Sequence, residues 1–312
     1  MKKTLITIIT ALSTLSVNAQ QIALSSQYML NDLALNPATA GLKGHTTLGA
    51  SFRRQWVGID QAPVTQTLWG QGNLKYNFAV GGVLFNDATG PTRRTGISPN
   101  LAYKVKLNEE YVLSFGVGVS LSQFYLDRDR MKTELPDDIA VDFNSNNRMI
   151  PDANAGIILA SKNLFVGLSS WHLIQSRKDL FDIEDNVANR LERVYYLTAG
   201  YTIQAGKKLE ITPSTVFRMM GNAPFTFDFN ASAVYDKMYW GGISYRFRDA
   251  VALMAGLRFG PMRIGYSYDI NISSLSDYNS GTHEIFLGVD ITGGKKGNWK
   301  RRNRVYSSFS NF

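Results

Sequence analysis

From Tyr111 the chain reads Tyr-Val-Leu-Ser-Phe-Gly-Val-Gly-Val-Ser-Leu-Ser. Leu113, Phe115, Val117, Val119 and Leu121 fall on one face, and Ser114, Gly116, Gly118, Ser120 and Ser122 on the other. A period of two predicts a strand, because successive side chains leave a pleated backbone on opposite sides. The second face is small and polar rather than charged, unlike the solvent face of a soluble sandwich. The same division returns where Phe225, Phe227, Phe229, Ala231 and Ala233 alternate with Thr226, Asp228, Asn230 and Ser232. It returns again where Met262, Ile264, Tyr266, Tyr268 and Ile270 alternate with Arg263, Gly265, Ser267 and Asp269, and where Ile285, Leu287, Val289 and Ile291 alternate with Glu284, Gly288 and Asp290. One greasy face and one wet or tightly packed face, repeated along the chain, predict an all-β fold, a transmembrane antiparallel β-barrel. In hydrocarbon every backbone amide needs a partner, and a closed sheet supplies one.

About fourteen such segments can be placed, at 46–56, 65–74, 78–86, 94–106, 111–125, 151–160, 163–171, 193–204, 208–219, 224–235, 238–247, 250–259, 261–271 and 282–291. Each is near the roughly 9–11 residues that cross a bilayer at a tilt. One set of connections is short, at 73–77, 107–110, 161–163, 205–207, 236–237 and 260. The alternate set holds the two longest, 127–150 and 172–192, with intermediate loops at 57–64, 86–93 and 273–281 and short ones at 221–223 and around Arg248. Short turns on one side and longer loops on the other are the habit of outer-membrane barrels.

A wall of fourteen strands lies between the filled small barrels and the open large ones. The inward face carries Arg218, Asp228 and Arg246 toward the long-loop end, and Arg258, Arg263 and Asp290 toward the short-turn end. Facing lipid at the midplane, an arginine would cost about 2–4 kcal/mol, so these charges are expected to face inward and pair across the lumen.

Three segments fall outside the barrel at 45–292. Lys2 and Lys3 precede an apolar run from Leu5 to Val17, and Val17-Asn18-Ala19 offers a cleavage site before Gln20, so 1–19 reads as a signal peptide. Residues 20–44 are expected to form a periplasmic N-terminal segment on the short-turn side. It holds a short helix candidate, 26–35, followed by the turn-rich Asn36-Pro37-Ala38-Thr39-Ala40-Gly41. The tail 293–312 falls on the same side. Its Lys295, Lys296, Trp299, Lys300, Arg301, Arg302 and Arg304 suit anionic headgroups, an acidic partner, or simply a solvated tail.

Charge adds little beyond that tail. Of the formal +8, Lys2 and Lys3 carry two and the tail six, so the remainder sums to zero. A neutral exported body argues against nucleic acid as a partner. Cysteine is absent, which removes disulfides and thiol chemistry, and no later segment has 18 uninterrupted apolar residues.

Candidate chemistry is sparse. His45, His172 and His283 stand at the start of the first strand, a loop edge and the start of the last strand, with no nucleophile at a suggestive spacing. Asp182-Ile183-Glu184-Asp185-Asn186 gathers oxygen ligands without the spacing of a known calcium loop. Gly116-Val117-Gly118 lacks the helix and third glycine of a phosphate cradle. No catalytic, cofactor or metal site emerges.

The words Arg54-Gln55-Trp56-Val57-Gly58 and Ala62-Pro63-Val64-Thr65, preceded by Gln27-Tyr28 and Asn36-Pro37-Ala38-Thr39-Ala40-Gly41, resemble the PorP/SprF family over essentially the whole mature chain. One departure stands out: Asp60-Gln61 precedes Ala62-Pro63 where the family pattern has a glycine immediately before the alanine. The resemblance implies a non-enzymatic barrel of the bacterial outer membrane, bathed in its lipid, with both termini periplasmic. Its role would be type IX secretion, gliding motility and cell-surface attachment of a large cargo or adhesin bearing a type IX C-terminal sorting domain. Other family members imply a machinery role, contacting the periplasmic ring or a peptidoglycan-binding lipoprotein. A diffusion channel or hydrophobic-solute transporter is the remaining alternative. Cargo contact would fall to the loops at 127–150 and 172–192, and machinery contact to 20–44 and the tail. The family words themselves, Asn36, Pro37, Gly41, Arg54, Gln55, Trp56, Gly58, Ala62, Pro63 and Thr65, are candidate partner contacts. Trp56 also fits an interfacial aromatic girdle, and Arg54, if inward, would join the lumenal charges.

Overall fold

The structure, a computed structural model, describes residues 25–127, 130, 147–176, 190–221 and 223–291. The signal segment, Asp182 to Asn186 and the tail contacts Lys295, Lys296, Trp299, Lys300, Arg301, Arg302 and Arg304 lie outside the described residues.

Strands follow in chain order as β1 (Thr46–Arg54), β2 (Val64–Asn73), β3 (Phe78–Thr89), β4 (Thr92–Lys106), β5 (Val112–Leu126), β6 (Asn147–Ala160) and β7 (Leu164–Trp171). Then come β8 (Val194–Tyr201), β9 (Ile203–Gln204), β10 (Leu209–Met220), β11 (Ala223–Tyr235), β12 (Tyr239–Arg246), β13 (Ala250–Phe259), β14 (Met262–Asn271) and β15 (Thr282–Ile291). Thr202 alone separates β8 from β9, and both pair with β10, so the two form one stave. Fourteen antiparallel staves result, each beside its neighbours in sequence. The pairing of β1 with β15, from Thr46↔Ile291 to Arg54↔His283, closes the barrel. Among the described residues no helix is long and apolar enough to cross a membrane.

The period-two faces explain the closure. On β5, Val117 and Val119 are 58% and 63% exposed on the outer wall, whereas Ser114 and Ser122 are buried on the inner one. β3 to β6 rise furthest at the long-loop end. Where they do, the outer row changes from Leu84, Ile97 and Leu121 to Asn86, Thr95 and Gln123 in register. Thr95 Oγ1 donates to Asn86 Oδ1 at 2.8 Å there, a polar line that marks the upper edge of the apolar band. The segment 86–93, expected as a loop, instead continues both strands, which are paired out to Thr89↔Thr92 around a turn at Gly90 with φ 58°.

The core of the molecule is inside the lumen. Residues 25–44, expected as a periplasmic segment, thread the barrel from Ser25 near the long-loop end to Gly44 at the short-turn end. The helix expected at 26–35 is absent; three 3-10 turns, Tyr28–Leu30, Asp32–Ala34 and Pro37–Thr39, take its place. The inward placement of the segment has a plain cause. The 3-10 turns satisfy most of the segment's amides internally, Leu30 N donating to Gln27 O and Leu35 N to Asp32 O, while Ser26 N and Gly41 N donate to the wall, and its apolar side chains need a dry interior that the lumen supplies. Tyr28, Met29, Leu30, Leu33, Leu35, Ala38, Ala40 and Leu42 are all buried. They pack with inward residues such as Trp69, Ile158, Phe165, Val216, Trp240 and Phe286.

The wall is shaped to receive this inner segment. A methyl group at Gly116 would overlap the backbone of Pro37 and Ala38, one at Gly156 would overlap Asn36 Oδ1, and one at Gly81 would stand 2.9 Å from Leu33. Gly81, Gly116 and Gly156 are therefore where the segment leans on the wall.

Candidate functional site

The filled lumen with its two charge clusters is the candidate site. At the long-loop end Arg53 projects inward from β1, 3% exposed. Its guanidinium reaches Asp269 Oδ2 on β14 at 2.8 Å and Glu284 Oε2 on β15 at 3.1 Å. The same group donates to Ser26 Oγ at 2.8 Å, and Ser26 Oγ donates to Asp269 Oδ2 at 2.5 Å. The Ser26 amide completes the link at 2.9 Å from Glu284 Oε2, and the Ser25 hydroxyl donates to the same carboxylate. Arg246 continues the chain of charges, 3.7 Å from Asp269 and 3.2 Å from Asp228. Arg218 is buried and donates to Thr226 Oγ1 at 3.0 Å.

A second cluster closes the short-turn end. Asp290 sits between Arg263 at 2.9 Å, His45 at 3.2 Å and the Arg258 guanidinium. Above it Lys43 lies 3.7 Å from Asp32, both side chains 1% exposed. Burial pushes the Asp32 carboxyl above its ordinary range and the Lys43 ammonium below its own, each opposed by the other's charge. Burial likewise raises the Tyr28 phenol, whose hydroxyl lies 3.1 Å from Ser214 Oγ at mid-lumen.

Between the clusters the family words make specific contacts. Asn36 Oδ1 accepts from the Ala38 amide at 2.9 Å, capping the turn that Pro37 begins, while its Nδ2 donates to the carbonyls of Ile157 at 3.1 Å and Leu168 at 3.3 Å. The Leu35 carbonyl accepts from Ser169 at 2.5 Å and from Trp171 Nε1 at 3.0 Å. Gly41, at φ 72°, donates its amide to Gln71 Oε1 at 2.9 Å, and a side chain there would strike Asn73 and Ala79.

The second group of words forms the first loop on the long-loop side. Gln55 N donates to Pro63 O at 2.9 Å, Trp56 N to Thr282 Oγ1 at 3.2 Å, and Val57 N to Gly281 O at 2.9 Å, tying this loop to the one before β15. Gly58 takes φ 105° and Trp56 φ 44°. Ala62 is half-buried and Pro63 buried. Thr65 faces the lumen and donates to Asp87 Oδ1 at 2.6 Å.

Arg54 does not join the lumenal charges: it is exposed on the outer side, and Arg53 takes the inward position. The register leaves no choice, since Leu48 and Phe52 share the parity of Arg54 and face out. Arg53 follows Thr47, Gly49 and Ser51, the small-residue face, which is the signal that identifies it in the sequence. Asp269 and Glu284 stand on the wet faces of their strands by the same parity, and only the register brings both to Arg53. Asp32 and Lys43 carry no such signal, because nothing local marks their segment as buried.

His172 Nδ1 lies 3.0 Å from Asp152 Oδ2, and His283 Nδ1 lies 2.6 Å from the Tyr266 hydroxyl. Among the described residues no three His, Cys, Asp or Glu side chains converge as a metal site requires.

Comparison with curated proteins gives no match. Among solved structures the chain is similar to the CymD monoaromatic hydrocarbon channel, with 13% identity over 86% of this chain and 92% of that chain and a TM-score of 0.48. It is also similar to a Pseudomonas aeruginosa FadL homologue, with 11% identity, 82% and 93% coverage and a TM-score of 0.47. Likenesses of this size say nothing of what this barrel binds or passes. Residues 17–289, which hold the inner segment, its Asn36-Pro37-Ala38 turn, the Arg54 to Gly58 loop and nearly all of the wall, match the type IX secretion system membrane protein PorP/SprF. The chain belongs to that family and is a type IX secretion barrel of the bacterial outer membrane.

Proposed function

We propose that this is a non-enzymatic, internally plugged barrel that supports type IX secretion by holding a large exported protein at the cell surface, the cargo being one with a C-terminal type IX sorting domain. The observation that carries the reading is the filled lumen. A barrel whose interior is a packed core with buried ion pairs at both ends is suited to presenting loops, not to passing solutes. The filled lumen also weighs against a diffusion channel or hydrophobic-solute transporter. In this reading the long-loop end faces outward, and the loops at 127–150 and 172–192, together with the tied loop from Gln55 to Pro63, make the cargo contacts.

The alternative, a machinery component gripping the periplasmic ring or a peptidoglycan-binding lipoprotein, loses one of its two expected handles. Residues 25–44 are held in the lumen and leave the tail as the remaining contact. The test is purification of the full chain from its own outer membrane in mild detergent, with co-purifying proteins identified by mass spectrometry. A large protein ending in a type IX sorting domain is the expected companion. Recovery of periplasmic ring proteins instead would move the assignment to machinery, and recovery of the barrel alone would count against both.

A further inference from the structure

Lysine and arginine are segregated on the outside of this barrel. Among the described residues the exposed lysines, Lys75, Lys106, Lys162, Lys207, Lys208 and Lys237, all stand on or beside short turns. The exposed arginines, among them Arg54, Arg93, Arg190 and Arg248, stand at the opposite, long-loop end. Two further lysines, Lys132 and Lys178, belong to the long loops and lie outside the described residues.

At the short-turn rim Lys106 pairs with Glu109 at 3.1 Å and Lys208 with Asp236 at 2.9 Å. Among the described residues Lys75, Lys162, Lys207 and Lys237 make no such pair, and they come from four different turns spread around the rim. Apolar side chains are exposed at the same rim: Leu74 and Tyr76, on either side of Lys75, are 54% and 85% exposed, and Leu107 and Phe259, on two other short turns, 54% and 84%. In bulk water that exposure gains nothing. At a membrane interface the rings and aliphatic chains enter the acyl boundary, while the lysine stems lie along them and carry the ammonium groups to the headgroup level. Lys207, Lys208 and Lys237 also border one shallow recess between neighbouring turns, lined in addition by Gln204, Glu210, Val234 and Asp236, the last already paired with Lys208.

We propose that the short-turn rim is a binding surface for the phosphate headgroups of anionic glycerophospholipid, with Lys75, Lys162, Lys207 and Lys237 as the contacts. This fixes the short-turn end in a phospholipid leaflet and gives the barrel a lipid preference at that end. It does not depend on which cargo or machinery the other surfaces serve.

The full chain would be reconstituted in phosphatidylcholine vesicles containing spin-labelled phosphatidylglycerol or spin-labelled phosphatidylcholine, and the motionally restricted fraction of each compared. Selection of phosphatidylglycerol by about three- to five-fold is expected at low salt, falling toward one as salt is raised. The combined variant Lys75→Gln, Lys162→Gln, Lys207→Gln, Lys237→Gln should lose most of that selection. Removing charge at the other rim with Arg54→Gln, Arg93→Gln and Arg248→Gln should leave it intact. All seven side chains are exposed, so the variants should fold, which the heat-dependent shift in gel mobility checks. No selection by the parent protein, full selection by the lysine variant, or loss of selection in the arginine variant would each overturn the proposal.

Discussion

Arg53 and Arg54 are adjacent in the chain and lie on opposite sides of the wall. Arg53 holds two carboxylates, Asp269 and Glu284, whose side chains are each 1% exposed. Replacing it by methionine leaves Glu284 without a counter-ion and Asp269 with only Arg246 at 3.7 Å, and Arg53→Met should cost about 3–5 kcal/mol of stability. Arg54→Gln, at an exposed position, should change it by no more than about 0.5 kcal/mol. Denaturant unfolding in vesicles measures both, and equal effects would mean that the inward and outward assignments are wrong. The same experiment tests Gln61, which holds φ 54° at the position where the family pattern has glycine. The left-handed conformation costs a side-chain-bearing residue about 1–2 kcal/mol, and glycine returns about 0.5–1 kcal/mol of that as lost chain entropy. Gln61→Gly should therefore stabilise by about 0.5 kcal/mol, and a clear loss would show that the glutamine side chain has a role of its own.

At the scale of elements, the inner segment and the wall form one packed unit, and the wall comes closest to the segment's backbone at Gly116, against Pro37 and Ala38. A valine at Gly116 must push the segment away, at a cost of about 1–3 kcal/mol, while the staves keep their backbone pairs. Lys43 is fully buried in the parent protein, so trypsin should cut after it only in Gly116→Val, read as a fragment of defined mass. Unchanged protection would mean that the segment does not lean there. The staves are legible in the sequence because two different media, lipid outside and a packed lumen inside, impose the period of two. That is why β2, expected at 65–74, is found at Val64–Asn73. Arg218, Asp228, Arg246, Arg258, Arg263 and Asp290 have the inward parity for the same reason. The inner segment is not legible, since it has neither period. The two hydrogen bonds that Asn36 Nδ2 donates are explained only by Ile157 and Leu168, more than a hundred residues away. Its polar character reads as exposure when it is in fact hydrogen bonding to the wall.

For the molecule as a whole, the neutral body, the mixed charges at both ends of the lumen and the buried segment between them describe a barrel closed along its axis. That closure leaves the loops and the rim, not a pore, as the surfaces on which this barrel meets other molecules. The decisive measurement is single-channel recording in planar bilayers of the full mature chain beside a form lacking residues 25–43. The intact barrel should be electrically silent, and the shortened one, still folded by its heat-dependent gel mobility, should give discrete conductance steps. Steady open-channel current through the intact protein would contradict the plugged barrel and make passage through the lumen its function.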